Sequence, residues 1–233
     1  MTLNLSDTGA LSHIVWMPGL GFLLGRWLKQ CIEQLPLDVL EAAAWPAPEH
    51  RVHALSVALS NMVLWSLCAW HWSHPMTALS WAVFSSFLLV LAWIDARTTL
   101  LPDAVTQPLL WCGLLASLQG YIQTPLTDAV LGAVVGYLFL RIIADVFERV
   151  TGKVGMGAGD FKLLAALGAW LGPWALLPVL LLASVVGACV GLVLQKRQAL
   201  HEGGYLPFGP FLATAGGIVA WTAPQVLPWL FGQ

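Results

Sequence analysis

Long apolar runs separated by short polar stretches make up most of this chain. Since about 20 apolar residues cross a bilayer as a helix, the pattern predicts eight membrane-spanning helices. Gly172-Pro173 separates the short sixth run from the seventh, so six or seven crossings stay open. The predicted spans lie near Leu11–Leu28, Ala54–Trp72, Thr77–Ile94, Thr106–Ile122, Ala129–Phe147, Phe161–Leu171, Trp174–Leu194 and Pro207–Phe231.

The composition agrees with this pattern, because 58% of the 233 residues are hydrophobic and only 9% are charged. So few polar side chains cannot cover a soluble globule. The predicted fold class is therefore all-α, a polytopic integral membrane protein in contact with lipid, with one membrane domain over residues 1–233. A net charge of −2 gives no basis for a nucleic-acid partner. Gly132 and Gly136, like Gly187 and Gly191, are four residues apart and predict close helix packing.

The distribution of Lys and Arg predicts the orientation. All ten lie in or near loops on one side, whereas the opposite connections and both chain ends have none. The positive-inside rule then places the basic loops in the cytoplasm and both termini outside. The polar stretch Lys29–His53 is predicted to be a short, irregular cytoplasmic loop, with a helix across Leu37–Ala44 as an option.

A glycine-rich motif, Gly155-Met156-Gly157-Ala158-Gly159-Asp160-Phe161-Lys162, precedes the sixth run. Its alternating glycines are predicted to take positive φ or to permit close approach of a neighbour. An acidic residue at the bilayer centre costs at least ~2.5–3.5 kcal/mol, which makes Asp160 a candidate functional residue. The other interpretation is that Asp160 is the N-cap of the following helix. From this residue alone, both stay open.

A second acidic residue, Asp95, ends the third run in the stretch Ile94-Asp95, which continues to Leu101-Pro102-Asp103. With the glycine-rich motif and Pro207-Phe208-Gly209-Pro210, this stretch resembles the bacterial prepilin leader peptidases, which are intramembrane aspartyl proteases of the GxGD type. The resemblance covers roughly residues 81–220, the predicted aspartyl protease core. It implies that Asp95 and Asp160 are the catalytic pair and that proteolysis needs no cofactor.

Aspartyl hydrolysis needs two neighbouring carboxylates that share a proton. The predicted topology puts Asp95 and Asp160 at one depth near the cytoplasmic face. Helix dipoles predict that Asp95, at a helix C-terminus, carries the shared proton, while Asp160, at an N-terminus, is ionised.

Four further residues are predicted to support the pair, and Gly157 and Gly159 belong to the motif itself. Lys162 matches the motif and either contacts the substrate, tunes the pair or extends to the membrane interface. Asp103 is predicted to be an N-cap or turn residue, with a supporting role left open. The four cysteines show no CxxC spacing, so no metal site is predicted.

The resemblance implies an endopeptidase of the bacterial inner membrane that removes the basic leader of type IV prepilins or type II secretion pseudopilins. Two alternatives stay open. The first is a GxGD protease with other substrates, as in preflagellin peptidases, which the Leu101-Pro102-Asp103 sequence disfavours. The second is a proton-linked transporter, which would need carboxylates at several depths. The oligomeric state is not predicted.

Many bacterial prepilin peptidases also methylate the new N-terminus with S-adenosylmethionine and have paired CxxC zinc ligands in an expanded first cytoplasmic loop. Residues 29–53 depart from that pattern, because Cys31 is their only cysteine. The sequence therefore predicts that zinc is absent. It leaves methylation open, with S-adenosylmethionine as the cofactor if that activity is retained.

Overall fold

The computed structural model describes residues 12–39, 53–152, 156–196 and 206–231, and these form α-helices without any strand. Each predicted apolar run corresponds to one helix, which confirms the all-α class. The helices are α1 (His13–Val39), α2 (Ala54–His71), α3 (Pro75–Thr98), α4 (Asp103–Leu118), α5 (Leu126–Thr151), α6 (Ala158–Leu171), α7 (Leu176–Lys196) and α8 (Gly209–Phe231).

Four of the described helices, α2, α3, α5 and α7, are long and apolar enough to cross a membrane. Helix α6 has 14 residues, so at 1.5 Å per residue it is about 21 Å long, shorter than a hydrocarbon core of about 30 Å. These lengths and compositions are those of a membrane protein. The number of crossings and the sides that the termini face stay predictions.

The prediction that an irregular loop begins at Lys29 is wrong, because α1 continues to Val39. Two local features favour the helix over a loop. Lys29 Nζ lies 3.1 Å from Glu33 Oε2, one helical turn away, and Ile32 is buried. The rest of the predicted loop, with most of the optional helix Leu37–Ala44, lies outside the described residues.

The chain divides into two compact units, Met1–Val90 and Leu91–Gln233. In the first unit, α1 packs closely on α2, since a Cβ at Gly25 would lie 2.6 Å from Ala58 Cα. Buried polar groups in this unit bond to one another: Asn61 Nδ2 donates to the Gly21 carbonyl at 2.8 Å, and Ser86 Oγ donates to Asn61 Oδ1 at 2.8 Å. Such pairing satisfies polar groups that would otherwise be desolvated without partners.

Helix α6 is the core of the second unit, because every residue from Asp160 to Leu171 except Lys162 is buried. It contacts α4, α5, α7 and α8. At the contact with α5, a Cβ on Gly132 would collide with the backbone of Gly168, and a Cβ on Gly136 would lie 2.7 Å from the Leu164 carbonyl oxygen. The predicted close packing at Gly132 and Gly136 is thus confirmed.

Two hydrogen bonds fix the far end of α6. Trp170 Nε1 donates to the Leu109 carbonyl of α4 at 2.9 Å, and Thr124 Oγ1 donates to the Trp170 carbonyl at 2.8 Å. The helix then ends at Gly172, whose φ of 79° favours glycine. Helix α6 is held at this end and along its contact with α5. Its first turn, which contains Asp160, therefore has a fixed position within the unit.

Candidate active site

Asp95 lies in the last turn of α3, and only 4% of its surface is exposed. Its Oδ2 accepts a hydrogen bond from the backbone N–H of Gly209 at 2.9 Å. Gly209 is the first residue of α8, so the carboxylate lies where a helix presents unpaired N–H groups. A residue at the end of one helix is therefore held by the start of another, 114 positions later in the chain.

Asp160 is the third residue of α6, and 9% of its surface is exposed. The N-cap is Gly157, in an extended conformation, so the prediction that Asp160 is the N-cap is wrong. The helix begins at Ala158, three residues before the predicted start at Phe161, because Ala158 and Gly159 already have helical geometry. No described residue forms a hydrogen bond with the Asp160 carboxylate.

Asp95 and Asp160 line the same cavity, whose volume is about 920 Å³. The end of α3, the start of α6, one face of α7 and the segment before α8 form its walls. Most of the side chains that line the cavity are small or apolar. Among the described lining residues, Asp95 and Asp160 are the titratable ones. The lining comprises Asp95, Thr99, Met156, Gly157, Asp160, Ser184, Gly187, Ala188, Gly191, Leu192, Gln195, Leu206, Pro207 and Phe208.

Two buried carboxylates in one cavity are the arrangement that acid–base hydrolysis requires. When two carboxyl groups share a site of low polarity, they do not ionise together, so one keeps a proton. Such a pair supplies a base and an acid at once.

Comparison with known proteins agrees with this geometry. Residues 82–192, which include both aspartates, match the type IV leader peptidase family. This segment of the chain is similar to the type IV leader peptidase family. No solved structure matches it.

Three relatives are each named prepilin leader peptidase/N-methyltransferase. The Pseudomonas aeruginosa protein is 44% identical over 171 residues, which are 73% of this chain and 58% of that protein. The Pseudomonas putida protein is 49% identical over 166 residues (70% and 56%). The Aeromonas salmonicida protein is 46% identical over 180 residues (76% and 59%). The chain thus spans less than two thirds of the length of these leader peptidase relatives.

The glycines of the leader peptidase motif differ in their roles. The prediction of positive φ is wrong for both glycines. Gly157 has a φ of −74°, and Gly159 lies within α6 and is not among the residues with positive φ. Close approach is confirmed at Gly159, because a Cβ there would lie 2.7 Å from Leu101 Cβ. A Cβ at Gly157 would meet nothing within 4 Å. Gly155 lies outside the described residues.

Lys162 and Asp103 form an ion pair, with Lys162 Nζ 2.6 Å from Asp103 Oδ1 and 2.7 Å from Oδ2. The ion pair joins the start of α6, which contains Lys162, to the start of α4. Asp103 is the first residue of α4, and Pro102 is the N-cap of that helix. The N-cap prediction for Asp103 is therefore wrong by one position, because Pro102 already has the extended conformation of a cap. Neither residue lines the cavity.

In a prepilin cleavage assay, Asp103→Asn is expected to keep at least about half of the wild-type rate, because exposed ion pairs contribute only about 0–1 kcal/mol. The Asp103 side chain is 60% exposed, which places the pair in that class. The measurement is the rate of cleavage of a tagged prepilin at matched membrane levels, with Asp145→Asn as the control for loss of another exposed carboxylate. A drop as large as that of Asp95→Asn would give Asp103 a direct catalytic role instead.

Thr99, one helical turn after Asp95, has a φ of 53°. Positive φ is unusual for a β-branched residue and costs about 1–3 kcal/mol. Its backbone N–H donates to the Asp95 carbonyl at 2.8 Å, and Thr99 also lines the cavity. This strained residue follows the last residue of α3, one helical turn after Asp95, and redirects the chain towards α4.

Sequence reasoning missed two parts of this candidate site. Gly209 was noted only as part of a matching motif, although a glycine and proline at the start of an apolar run indicate a helix N-terminus, and free N–H groups there bind carboxylates. The wall formed by α7 was the other omission. Ser184, Gly187, Ala188 and Gly191 recur at helical spacing, but Gly187 and Gly191 were interpreted only as packing residues.

Within residues 12–39, 53–152, 156–196 and 206–231, no three His, Cys, Asp or Glu side chains are grouped so that they could hold a metal ion. The absence of zinc stays a prediction.

Proposed function

We propose that this chain is an intramembrane aspartyl endopeptidase that removes the basic leader of type IV prepilins or type II secretion pseudopilins. The observation that carries the proposal is that two buried carboxylates, Asp95 and Asp160, line one cavity. The similarity of residues 82–192 to the leader peptidase family and the names of the relatives support the substrate class. They favour a peptidase over the transporter alternative. The proposed location is the bacterial inner membrane, with the site towards the cytoplasm.

In the proposed reaction, one carboxylate is ionised and the other is protonated. The ionised group takes a proton from a water molecule as the water oxygen bonds to the carbonyl carbon of the leader's last peptide bond. The protonated group donates to the carbonyl oxygen, which gives a gem-diol. When the gem-diol collapses, the carbon–nitrogen bond breaks, the leaving nitrogen takes the proton from the first group, and a diol hydroxyl returns a proton to the second.

The cavity walls suit such a substrate. On the α7 side, Gly187, Ala188 and Gly191 bring little side-chain volume to the lining, so an extended peptide backbone can approach closely. A pilin precursor would present its basic leader to the cytoplasm while its apolar stem lies beside the helices of the enzyme. The two carboxylates would then meet the peptide bond between these parts.

Methylation of the new N-terminus is the second reaction in the relatives' names. S-adenosylmethionine would supply the methyl group. Among the described residues, we assign the two carboxylates that line the cavity to hydrolysis. Intact mass of the processed pilin tests this reaction: an added methyl that depends on this chain and on no other methyltransferase establishes it.

Co-expression with a tagged prepilin tests the proteolytic function. We expect the wild-type chain to remove the leader and the double variant Asp95→Asn/Asp160→Asn to leave the precursor intact, as measured by intact mass. A single-span membrane protein without a pilin leader is the control for substrate class and should stay uncut. Equal processing by the wild type and the double variant would refute the proposal.

A further inference from the structure

The backbone amide of Gly209 is the only described hydrogen-bond donor to either carboxylate of the pair, and it serves Asp95 alone, at 2.9 Å. We propose that Gly209 is a positioning residue that keeps Asp95 ionised, so that Asp95 is the base towards water and Asp160 is the proton donor. This inference rests on the proposed proteolytic function. It adds a division of roles that the pair of aspartates does not provide by itself.

The contact requires a glycine. A Cβ at position 209 would lie 2.6 Å from Asp95 Oδ2, 2.9 Å from Cγ and 3.1 Å from Cβ. Real Cβ atoms essentially never approach other atoms below 3.0 Å, so any other residue must displace the Asp95 carboxylate or the start of α8. Gly209 therefore provides both the donor and the space in which the carboxylate accepts it.

The two carboxylates differ in their hydrogen bonds. Both lie at the N-terminus of a helix, Asp160 in the first turn of α6 and Asp95 against the start of α8. Only Asp95 accepts a direct N–H bond from a described residue. A hydrogen bond to a carboxylate stabilises its ionised form. Because the pair keeps one proton, that proton belongs on Asp160.

This assignment is the reverse of the one predicted from the sequence. That prediction considered the C-terminal dipole of α3, which disfavours an anion at Asp95. A direct, charge-assisted hydrogen bond in a buried site outweighs the diffuse field of a helix terminus. No other titratable side chain among the described residues lines the cavity, and the Lys162–Asp103 ion pair lies outside it.

Gly209 lies beyond residues 82–192, the part of the chain that matches the family. Its role follows from the contact in the fold, not from the matched segment. The functional unit for catalysis therefore extends to the first turn of α8.

Gly209→Ala tests the positioning role in the full chain, reconstituted in vesicles with a prepilin substrate. We expect kcat to fall at least about tenfold with KM changed less than about twofold, because proton transfer is affected more than binding. We also expect the acidic limb of the kcat/KM profile to move up by about one pH unit, since the ionised form of Asp95 loses its donor. A merely structural defect would lower the amount of active enzyme without moving that limb.

Gly216→Ala is the matched control. It lies on the same helix, and its Cβ would be 2.6 Å from Leu167 Cδ2, the same nominal crowding but against the end of a flexible side chain. It should keep the wild-type pH profile. An unshifted profile in Gly209→Ala, or the same shift in both variants, would overturn the proposal.

Infrared difference spectra provide a second measurement that does not depend on the stability of a Gly209 variant. As the pH falls, the C=O band of the protonated carboxyl group should appear at a higher pH in Asp95→Asn, where only Asp160 remains, than in Asp160→Asn, where only Asp95 remains. The opposite pattern would refute the division of roles. If both Asn variants still cleave the prepilin, the proposed function fails; if both are inactive but the bands are reversed, only this inference fails.

Discussion

Asp95→Asn and Asp160→Asn are each expected to lower the rate of leader cleavage by at least about 100-fold, the lower end of what acid–base catalysis contributes. Asn has nearly the shape of Asp but neither accepts nor donates the transferred proton, so the fold is preserved while one role is lost. Because the two groups act as a unit, the double variant should be little worse than either single one. Single-turnover cleavage of a purified prepilin measures all three.

Asp145→Asn is the control for this pair of variants. Asp145 is an exposed carboxylate of α5 that forms an ion pair with Arg141 at 3.0 Å, and its loss should leave cleavage unchanged. Near-normal processing by either Asp95→Asn or Asp160→Asn, at equal protein levels, would remove that residue from the catalytic pair.

Gly168→Ala is expected to lower the free energy of unfolding by about 3 kcal/mol, the upper end of the usual range for overpacking. The added Cβ would collide with the carbonyl of Gly132 in α5, and backbone atoms on both sides cannot rotate away. Since α6 also contains Asp160, activity should fall together with stability. Thermal unfolding in detergent and yield in the membrane fraction measure the effect.

The matched substitution is Gly19→Ala in α1, where the new Cβ would meet nothing within 4 Å. It should leave stability unchanged or slightly raised, because Ala favours a helix over Gly by up to about 1 kcal/mol. A wild-type melting temperature for Gly168→Ala would show that the α5–α6 contact can separate without loss.

The helices could be predicted from the sequence because they depend on local properties. An apolar run long enough to span a bilayer has few alternatives to a helix, and each predicted run is a helix. The continuation of α1 past Lys29 was missed because polar composition was weighted over the spacing of Lys29 and Glu33. Both aspartates could be found for the same local reason, since each follows or precedes an apolar run within a motif.

The contacts of the site could not be predicted, because they join distant parts of the chain. Asp95 and Gly209 are 114 residues apart, and Asp103 and Lys162 are 59 apart. The sequence also does not separate two uses of glycine, positive φ and small volume. Gly159 is needed for its small volume, and only the fold shows this, because it places Leu101 beside Gly159.

The donor that holds Asp95 has a consequence for how this protein tolerates mutation. A main-chain N–H belongs to every residue except proline, so almost no substitution at position 209 removes the hydrogen bond directly. What a substitution changes is volume, because the space beside the Asp95 carboxylate admits no Cβ. We therefore expect side-chain volume, more than polarity, to limit which substitutions this position tolerates, although the contact itself is a polar one.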